Sequence, residues 1–443
     1  MKYKLAADVG NLARGPWHLF FRAETLAWTV TDDIGASVLK ALADPKGMAE
    51  IATEIAAKTG FPLDEVASEV GRSLESLRKE GIVEELGKGR SSHQAVCPTK
   101  PRPGSLYLHL TARCNLSCLY CYNQALRNRE SWGRDLPLAL AMQVLHQAKE
   151  LGVKTVILTG GEPLLHPQAI EVAEAAQGLG FGTVLLTNGL LVDDSVAERL
   201  ARFCDQITVS LDSAVPALHD LHRGPGTHKR AVEAVRRLKA AGAKEVVVSG
   251  VITRYNQHER YQAFEGFATE IGADRAAKQI YILQGDRRDA LLCPDFGMLL
   301  GDLEEALEKA VVQKAEPRSG VDALWRDRCG AASGVIAVGS DGAVYPCQGL
   351  MGPEFRAGNL AENSLTEVYE GSGILAQIRG ITVADIPGCR DCPLRFLCGG
   401  GCRALAYNAC RRLLAPIPGG YCAFNHLLAE EKLWAAALHD RGA

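Results

Sequence analysis

The chain has little that would direct it to a membrane or to nucleic acid. No apolar run reaches the ~18 residues a membrane helix needs, so no span is expected. The N-terminus, Met1-Lys2-Tyr3-Lys4-Leu5, lacks the apolar core of a signal peptide, and the expected location is the cytoplasm. Neither sign of charge dominates. The 49 Lys and Arg oppose 52 Asp and Glu, for a formal net charge of −3, with no basic stripe. No nucleic-acid partner is expected. Cysteine is absent before Cys97, yet the 443 residues hold 14 of them. In a reducing compartment that number argues against disulfides and for metal or redox chemistry. Three of the cysteines lie at 114–121 and eight between 329 and 422.

What is present centres on Cys114, Cys118 and Cys121, spaced Cys-x3-Cys-x2-Cys. A cubane [4Fe–4S] cluster takes one thiolate per iron. Three thiolates leave one iron open to a ligand, which suits chemistry rather than electron storage. The alternative is a zinc knuckle, but no His or fourth Cys stands nearby to complete a tetrahedron.

At this length two or three domains are expected. Residues 1–86 read as a small α+β unit. Two strand-like runs, Trp17–Phe21 and Leu26–Val30, flank a turn at Arg22–Thr25, and three amphipathic helices follow. Ile34, Val38, Leu39 and Leu42 share a face of the first helix, and Met48, Ile51, Ala52 and Ile55 a face of the second. Val66, Val70, Leu74 and Leu77 line the third, which Pro62 opens and Gly81 closes. Residues 87–104 form a linker rich in Gly, Ser and Pro, with an inert Cys97.

From 105 to 284 strands alternate with helices, which implies a parallel sheet. The strand candidates are Leu106–Thr111, Thr155–Thr159, Thr183–Thr187, Gln206–Leu211, Glu245–Ile252 and Gln279–Leu283. Functional residues in such sheets sit at the C-terminal ends of strands. The cysteine motif follows the first strand. Gly160-Gly161-Glu162-Pro163 follows the second, Thr187-Asn188-Gly189 the third, and the fourth ends in Ser210-Leu211-Asp212, with Arg223 shortly after. Two glycines allow close backbone approach to a ligand, and Glu162 can accept bonds from an ammonium group. Arg223 can pair with a carboxylate or lie in a surface loop. Cys204 reads as a buried core thiol. Residues 285–328 form a bridge with Cys293 and a helix from about Leu299 to Val312, and residues 329–443 a cysteine-rich tail.

The segment Cys114–Cys121, with the aromatic Tyr120 before its third cysteine, resembles the signature of radical S-adenosylmethionine (SAM) enzymes. The resemblance implies a partial (β/α)6 barrel within an α/β chain. Its open iron would chelate the amino and carboxylate groups of SAM, and reductive cleavage would give a 5′-deoxyadenosyl radical that abstracts hydrogen from a substrate. Gly160–Pro163 would hold the SAM amino group, with Asn188 lining the pocket. Ser210 and Asp212 would reach its ribose or carboxylate region, and Arg223 its carboxylate.

The tail spacing resembles the seven-cysteine SPASM extension of that family. Cys329 is followed by Gly342 and Cys347, then by Cys389-x2-Cys392-x5-Cys398-x3-Cys402, then by Cys422. By that resemblance Cys389, Cys392, Cys398 and Cys422 hold a distal [4Fe–4S] cluster, and Cys329, Cys347 and Cys402 a nearer one, giving three [4Fe–4S] clusters in all. No cysteine precedes Cys329 at the usual place for an eighth ligand. The near cluster is open at one iron, or completed by Cys293 or an aspartate such as Asp327. Cys410 falls off the pattern as a structural thiol.

The hairpin and three helices resemble a winged-helix unit. Glu65, Glu69, Glu75 and Glu80 on the third helix speak against DNA binding. Asp32-Asp33-Ile34-Gly35 and the helices after it resemble the peptide chaperone of pyrroloquinoline quinone biosynthesis, which implies capture of a precursor-peptide leader as an added strand. The expected function is a radical SAM peptide maturase that installs a thioether or carbon–carbon cross-link in a ribosomally made precursor, with a flavodoxin- or ferredoxin-type reductant. The alternatives are a pyrroloquinoline quinone-type Glu–Tyr linking enzyme, a sulfatase-type formylglycine maturase and a non-enzymatic iron–sulfur redox protein.

Overall fold

The computed structural model describes residues 1–25, 27–87, 102–123, 135–301 and 325–439. The linker cysteine Cys97, residue Leu26, and the bridge-helix positions Leu303, Leu307 and Val311 lie outside them.

The N-terminal unit holds more strand than the sequence pattern suggests. Strands β2 (Val9–Arg14), β3 (Trp17–Arg22) and β4 (Trp28–Thr31) form an antiparallel meander. Strand β1 (Lys2–Leu5) pairs with β5 (Lys46–Gly47) and β6 (Val83–Glu85) in a second sheet. The strands β1 and β2 escape a periodicity reading because they are polar and only partly buried. Helix α1 (Asp33–Ala41) starts at Asp32, whose carboxylate accepts from the Gly35 N–H at 2.9 Å. Helices α2 (Met48–Thr59) and α3 (Leu63–Glu80) end at Gly60 and Gly81 in the left-handed conformation. Pro62 is the cap preceding α3 rather than its first residue. Phe20, Leu39, Leu42, Ile51, Val70 and Leu74 form the core between sheet and helices. Ile34 and Met48 are not in it, being 47% and 42% exposed.

The opposite face of the β2–β4 sheet is also covered. Leu19, Phe21 and Val30 pack on Leu433 and Trp434 of the C-terminal helix Gly419–His439. Arg14 pairs with Glu431 across the same contact. The first and last segments of the chain are therefore joined by an apolar seam rather than by the linker alone.

Six parallel strands form the central sheet in sequential order: β7 (Ser105–Thr111), β8 (Thr155–Gly160), β9 (Gly182–Thr187), β10 (Gln206–Ser210), β11 (Val246–Ile252) and β12 (Arg275–Ile280). Intervening helices such as Leu138–Leu151 and Thr227–Ala240 cover it with apolar faces. The last strand begins four residues before the expected Gln279–Leu283 run. Its sequence, Arg-Ala-Ala-Lys-Gln-Ile, is polar because it is the outer, partly exposed strand. Between His109 and Thr111 the β7–β8 register shifts, so Thr111 meets Gly160. Such an irregularity bends a strand end and re-aims the chain beyond it, and the chain beyond β7 is the cysteine loop.

The tail extends this sheet. Strand β13 (Val335–Val338) runs parallel beside β7, and β14 (Ala343–Tyr345) and β15 (Gly358–Asn359) continue it antiparallel, making a nine-stranded sheet. No helix among the described residues is long and apolar enough to cross a membrane.

Candidate functional site

The thiols of Cys114, Cys118 and Cys121 form no disulfide and are partly buried in the loop after β7. Burial pushes the Cys118 thiol up to about 11, with Cys121 and Cys114 adding to the rise and Arg223 opposing it. Such a thiol ionises readily only beside a cation or metal.

The loop is tied down from several strands. The Tyr120 hydroxyl donates to Asp212 at 2.8 and 2.6 Å from its two carboxylate oxygens. Arg223 donates to the same carboxylate through Nε at 2.7 Å and Nη2 at 3.2 Å. The Val251 N–H adds a bond at 3.0 Å. Asp212 has no exposed surface. Burial works against its charge, but the Arg223 guanidinium and the Tyr120 hydroxyl hold it below the usual carboxylate range. The guanidinium also lies 5.4 Å from the centre of the Tyr120 ring. The Leu119 N–H donates to the His222 carbonyl at 2.9 Å, and Asn123 Nδ2 to the Gly160 carbonyl at 3.0 Å.

This changes the expected roles of two residues. Arg223 is not in a surface loop; it ends the helix Pro216–Arg223 and is buried against Asp212. Asp212 does not present a free carboxylate to a ribose, because both its oxygens are taken by Tyr120 and Arg223. The pair braces the cysteine loop from the fourth strand end. Ser210, the last residue of β10, is half-buried.

Gly160 and Gly161 are needed for contact within the chain itself. A Cβ on Gly160 would stand 2.3 Å from the Thr111 carbonyl oxygen, and one on Gly161 2.2 Å from that of Arg113. The N–H groups of Gly161 and Glu162 donate to these same carbonyls, each at 2.8 Å. The Gly-Gly pair thus seats the second strand end on the root of the cysteine loop, with Pro163 buried in the short turn after it.

Glu162 is 1% exposed. Its carboxylate accepts from the Thr187 hydroxyl at 2.7 Å, the Asn188 N–H at 2.8 Å and the Leu164 N–H at 3.2 Å. Burial nevertheless raises its pKa to about 7, against these bonds and the charge of Arg223. A buried carboxylate in this state gains from a further N–H donor placed on it, and the amino group of SAM carries such N–H groups. Asn188 also donates to Asn115 Oδ1 at 2.7 Å, linking the third strand end to the cysteine loop.

The tail cysteines fall into two groups. The thiols of Cys389, Cys392, Cys398 and Cys422 face one another, as do those of Cys329, Cys347 and Cys402. Burial raises the pKa of Cys347, Cys389, Cys398, Cys402 and Cys422, that of Cys347 furthest. Backbone N–H groups point at the sulfurs: Gly400 and Gly401 at Cys398, Ala404 and Leu405 at Cys402, Gly349 and Leu350 at Cys347. Gly399, Gly400 and Gly401 have φ of 68°, 76° and 74°. Only glycine takes three such steps readily, and they turn the amides inward. Amide donors around grouped thiols are the surroundings of an iron–sulfur cluster, so the residues fit that group.

The two candidate eighth ligands stand in different surroundings. The Asp327 carboxylate accepts from Arg328 Nε at 2.7 Å. Cys293 lies in the apolar cluster that holds Phe296, Tyr421 and Cys402, its Sγ 3.9 Å from the Tyr421 hydroxyl. Cys410 ends the helix Arg403–Cys410 and is exposed, and Cys204 is 1% exposed in the core.

Two residues escape a reading of the sequence alone. Arg403 is 1% exposed, and its guanidinium donates to the carbonyls of Gly400, Leu413 and Ala415. Its charge faces Cys329 and Cys402 of one group and Cys389 and Cys398 of the other. His426 stands beside Cys392 and Cys422. A signal for His426 was available, since it lies four residues, about one helical turn, beyond Cys422.

A sequence model of the radical SAM superfamily matches residues 108–265, and one of the SPASM iron–sulfur cluster-binding domain matches residues 329–393. The PqqA peptide cyclase of Gluconobacter oxydans is 31% identical over 319 residues, covering 69% of this chain and 86% of that protein. The AdoMet-dependent heme synthase of Methanosarcina barkeri is 27% identical over 351 residues, covering 73% of this chain and 97% of that protein. Among solved structures, Streptococcus suis SuiB bound to its precursor peptide SuiA superposes with a TM-score of 0.59 at 18% identity, covering 95% of this chain and 99% of that one. SAM and [4Fe–4S] clusters are the cofactors that go with these domains. The chain belongs to the radical SAM superfamily, in the group that carries a SPASM extension.

Proposed function

We propose that the protein is a radical SAM maturase that cross-links a ribosomally made precursor peptide, held by its leader on the N-terminal unit. When bound, SAM and its cluster supply a 5′-deoxyadenosyl radical for hydrogen abstraction, and the auxiliary clusters supply electron acceptors. The chain's own contribution is placement. Cys114, Cys118 and Cys121 would ligate the SAM cluster, braced by Tyr120, Asp212 and Arg223. Glu162 and Asn188 would orient SAM at the second and third strand ends, with Gly160, Gly161 and Pro163 seating that turn against the cysteine loop. A small acidic flavodoxin or ferredoxin would supply the electron.

One observation carries the peptide reading. A cavity of about 1030 Å³ opens between β4, α1 and α3, lined by Thr29, Thr31, Ile34, Val38, Phe61 and Leu77 among others. Ile34 and Phe61 are 47% and 64% exposed there. Apolar side chains left open beside an outer strand suit an extended peptide whose side chains fill the cavity. The docked N-terminal unit would hold the rest of the peptide at high local concentration near the barrel.

The test is binding of a precursor peptide, taken from any short reading frame found beside this gene. Ile34→Asp and Phe61→Asp should weaken it about tenfold or more, the scale expected when an apolar contact is replaced by a charge. Turnover of SAM without peptide should be untouched. Unchanged peptide affinity in both variants would remove the N-terminal unit from substrate capture.

A further inference from the structure

We infer that His426 donates a hydrogen bond to the ligand sulfurs of the distal auxiliary cluster and raises the reduction potential of that cluster. The inference rests on the reading of Cys389, Cys392, Cys398 and Cys422 as its four ligands. Iron and sulfide analysis of the unaltered protein tests that reading separately.

The geometry comes from two segments. Cys422 lies in the first turn of the helix Gly419–His439, and His426 follows one turn later on the same face. Cys392 comes from the loop before the short helix Arg395–Cys398. The imidazole bridges them, with Nε2 3.4 Å from Cys392 Sγ and 3.7 Å from Cys422 Sγ. Both distances suit hydrogen bonds to sulfur, which are longer than those to oxygen.

The direction of the bond follows from valence. An iron-bound thiolate has no proton and can only accept. An imidazole nitrogen held against two such sulfurs must present its N–H, whether the ring is neutral or cationic. Four cysteines already serve four irons, so the imidazole is left outside the ligand set as a donor to it. Cys398 receives the N–H groups of Gly400 and Gly401 from the backbone. His426 performs the same service for Cys392 and Cys422 from a side chain.

A donor to a ligand sulfur withdraws electron density and favours the reduced, more negative cluster. The near group has backbone donors at Cys347 and Cys402. The imidazole adds a side-chain donor to the distal group's own Gly400 and Gly401 amides, so that cluster accepts an electron more readily with His426 than without it.

The experiment is a potentiometric titration of the full-length, three-cluster protein followed by electron paramagnetic resonance. His426→Leu and His426→Phe both remove the donor, and their different shapes separate a packing defect from the loss of the bond. Both should keep the parent iron and sulfide content. One auxiliary midpoint potential should fall, while that of the SAM-binding cluster stays put. His426→Gln, which keeps an N–H on a flexible stem, should recover part of the fall. An unmoved or raised potential in either apolar variant that keeps its iron overturns the inference. Loss of one cluster's iron from both also overturns it, because His426 would then be a ligand or a scaffold residue.

Discussion

The cysteine loop at 114–121 and the cysteine tail at 329–422 present thiols in opposite ways. The loop takes its three thiols from one short stretch and leaves their placement to distant side chains: Asp212 and Arg223 brace Tyr120, and Asn188 grips Asn115. The tail takes seven thiols from separate segments and holds them with local backbone, notably Gly399–Gly401 and the amides around Cys347 and Cys402. A loop fastened to a packed parallel sheet keeps its shape without metal. The tail strands share the barrel's apolar core, whereas the turns at residues 389–402, short and built round thiols, depend on metal for their fold. Arg403 illustrates the dependence, since its buried guanidinium is surrounded by carbonyls and cysteines from both groups.

The largest expected effect tests the loop. Cys118→Ala should abolish SAM cleavage and remove about one third of the iron, the share of one cluster in three, with the tail's spectroscopic signals unchanged. Retained cleavage would break the assignment of the loop. Next, chelation of the iron should expose the turns at residues 386–402 to limited proteolysis while the barrel at 105–280 and the tail strands joined to it stay protected. Equal protection of both would erase the contrast between them.

Asp212→Ala should lower stability by about 3 kcal/mol, because it leaves the Arg223 guanidinium buried without its partner. Thermal unfolding would measure this. The Asp212 carboxylate is held below its usual range, so the stability it contributes is present above the unfolded-state pKa and is lost as pH falls through the folded one. The difference between parent and variant should therefore shrink in acid.

SAM binding should depend on pH through Glu162. Its pKa stands at about 7 in the folded protein, and its ionised form is the stronger acceptor for the N–H groups of the SAM amino nitrogen. Affinity should weaken by up to about tenfold per pH unit below 7 and level off above it. Calorimetry in buffers of different ionisation heat should show proton release on binding near pH 7. A flat profile would detach Glu162 from the SAM amino group. The smallest effect is expected of Cys293→Ala, whose thiol sits against Tyr421. Its iron content should equal that of the parent, and loss of one cluster's iron would make Cys293 the missing ligand.

The sequence was most legible where covalent chemistry imposes spacing. The cysteine intervals, the Gly-Gly-Glu-Pro turn and the strand–helix alternation all repeat at short range. It was least legible where a role depends on a distant partner. Nothing near Asp212 shows that its carboxylate will be taken by Tyr120, ninety-two residues earlier, or by Arg223. Periodicity placed Ile34 in the core with Val38 and Leu39, yet it lies at the mouth of the cavity between α1 and α3. The last barrel strand was sought in apolar Gln279–Leu283, while the outer position tolerates the polar Arg275–Ile280. Likewise β13 joins the barrel sheet across more than two hundred residues, so the tail is structurally continuous with the barrel.

The most direct measurement of the central claim is a coupled assay. The protein, reconstituted and reduced without oxygen, is incubated with SAM and a precursor peptide from any short reading frame found beside its gene, and both products are measured by mass spectrometry. The account predicts 5′-deoxyadenosine together with a peptide lighter by two hydrogens per cross-link, the loss of mass dependent on the leader. Fully loaded protein that yields no 5′-deoxyadenosine, or yields it while the peptide stays unchanged, would contradict it.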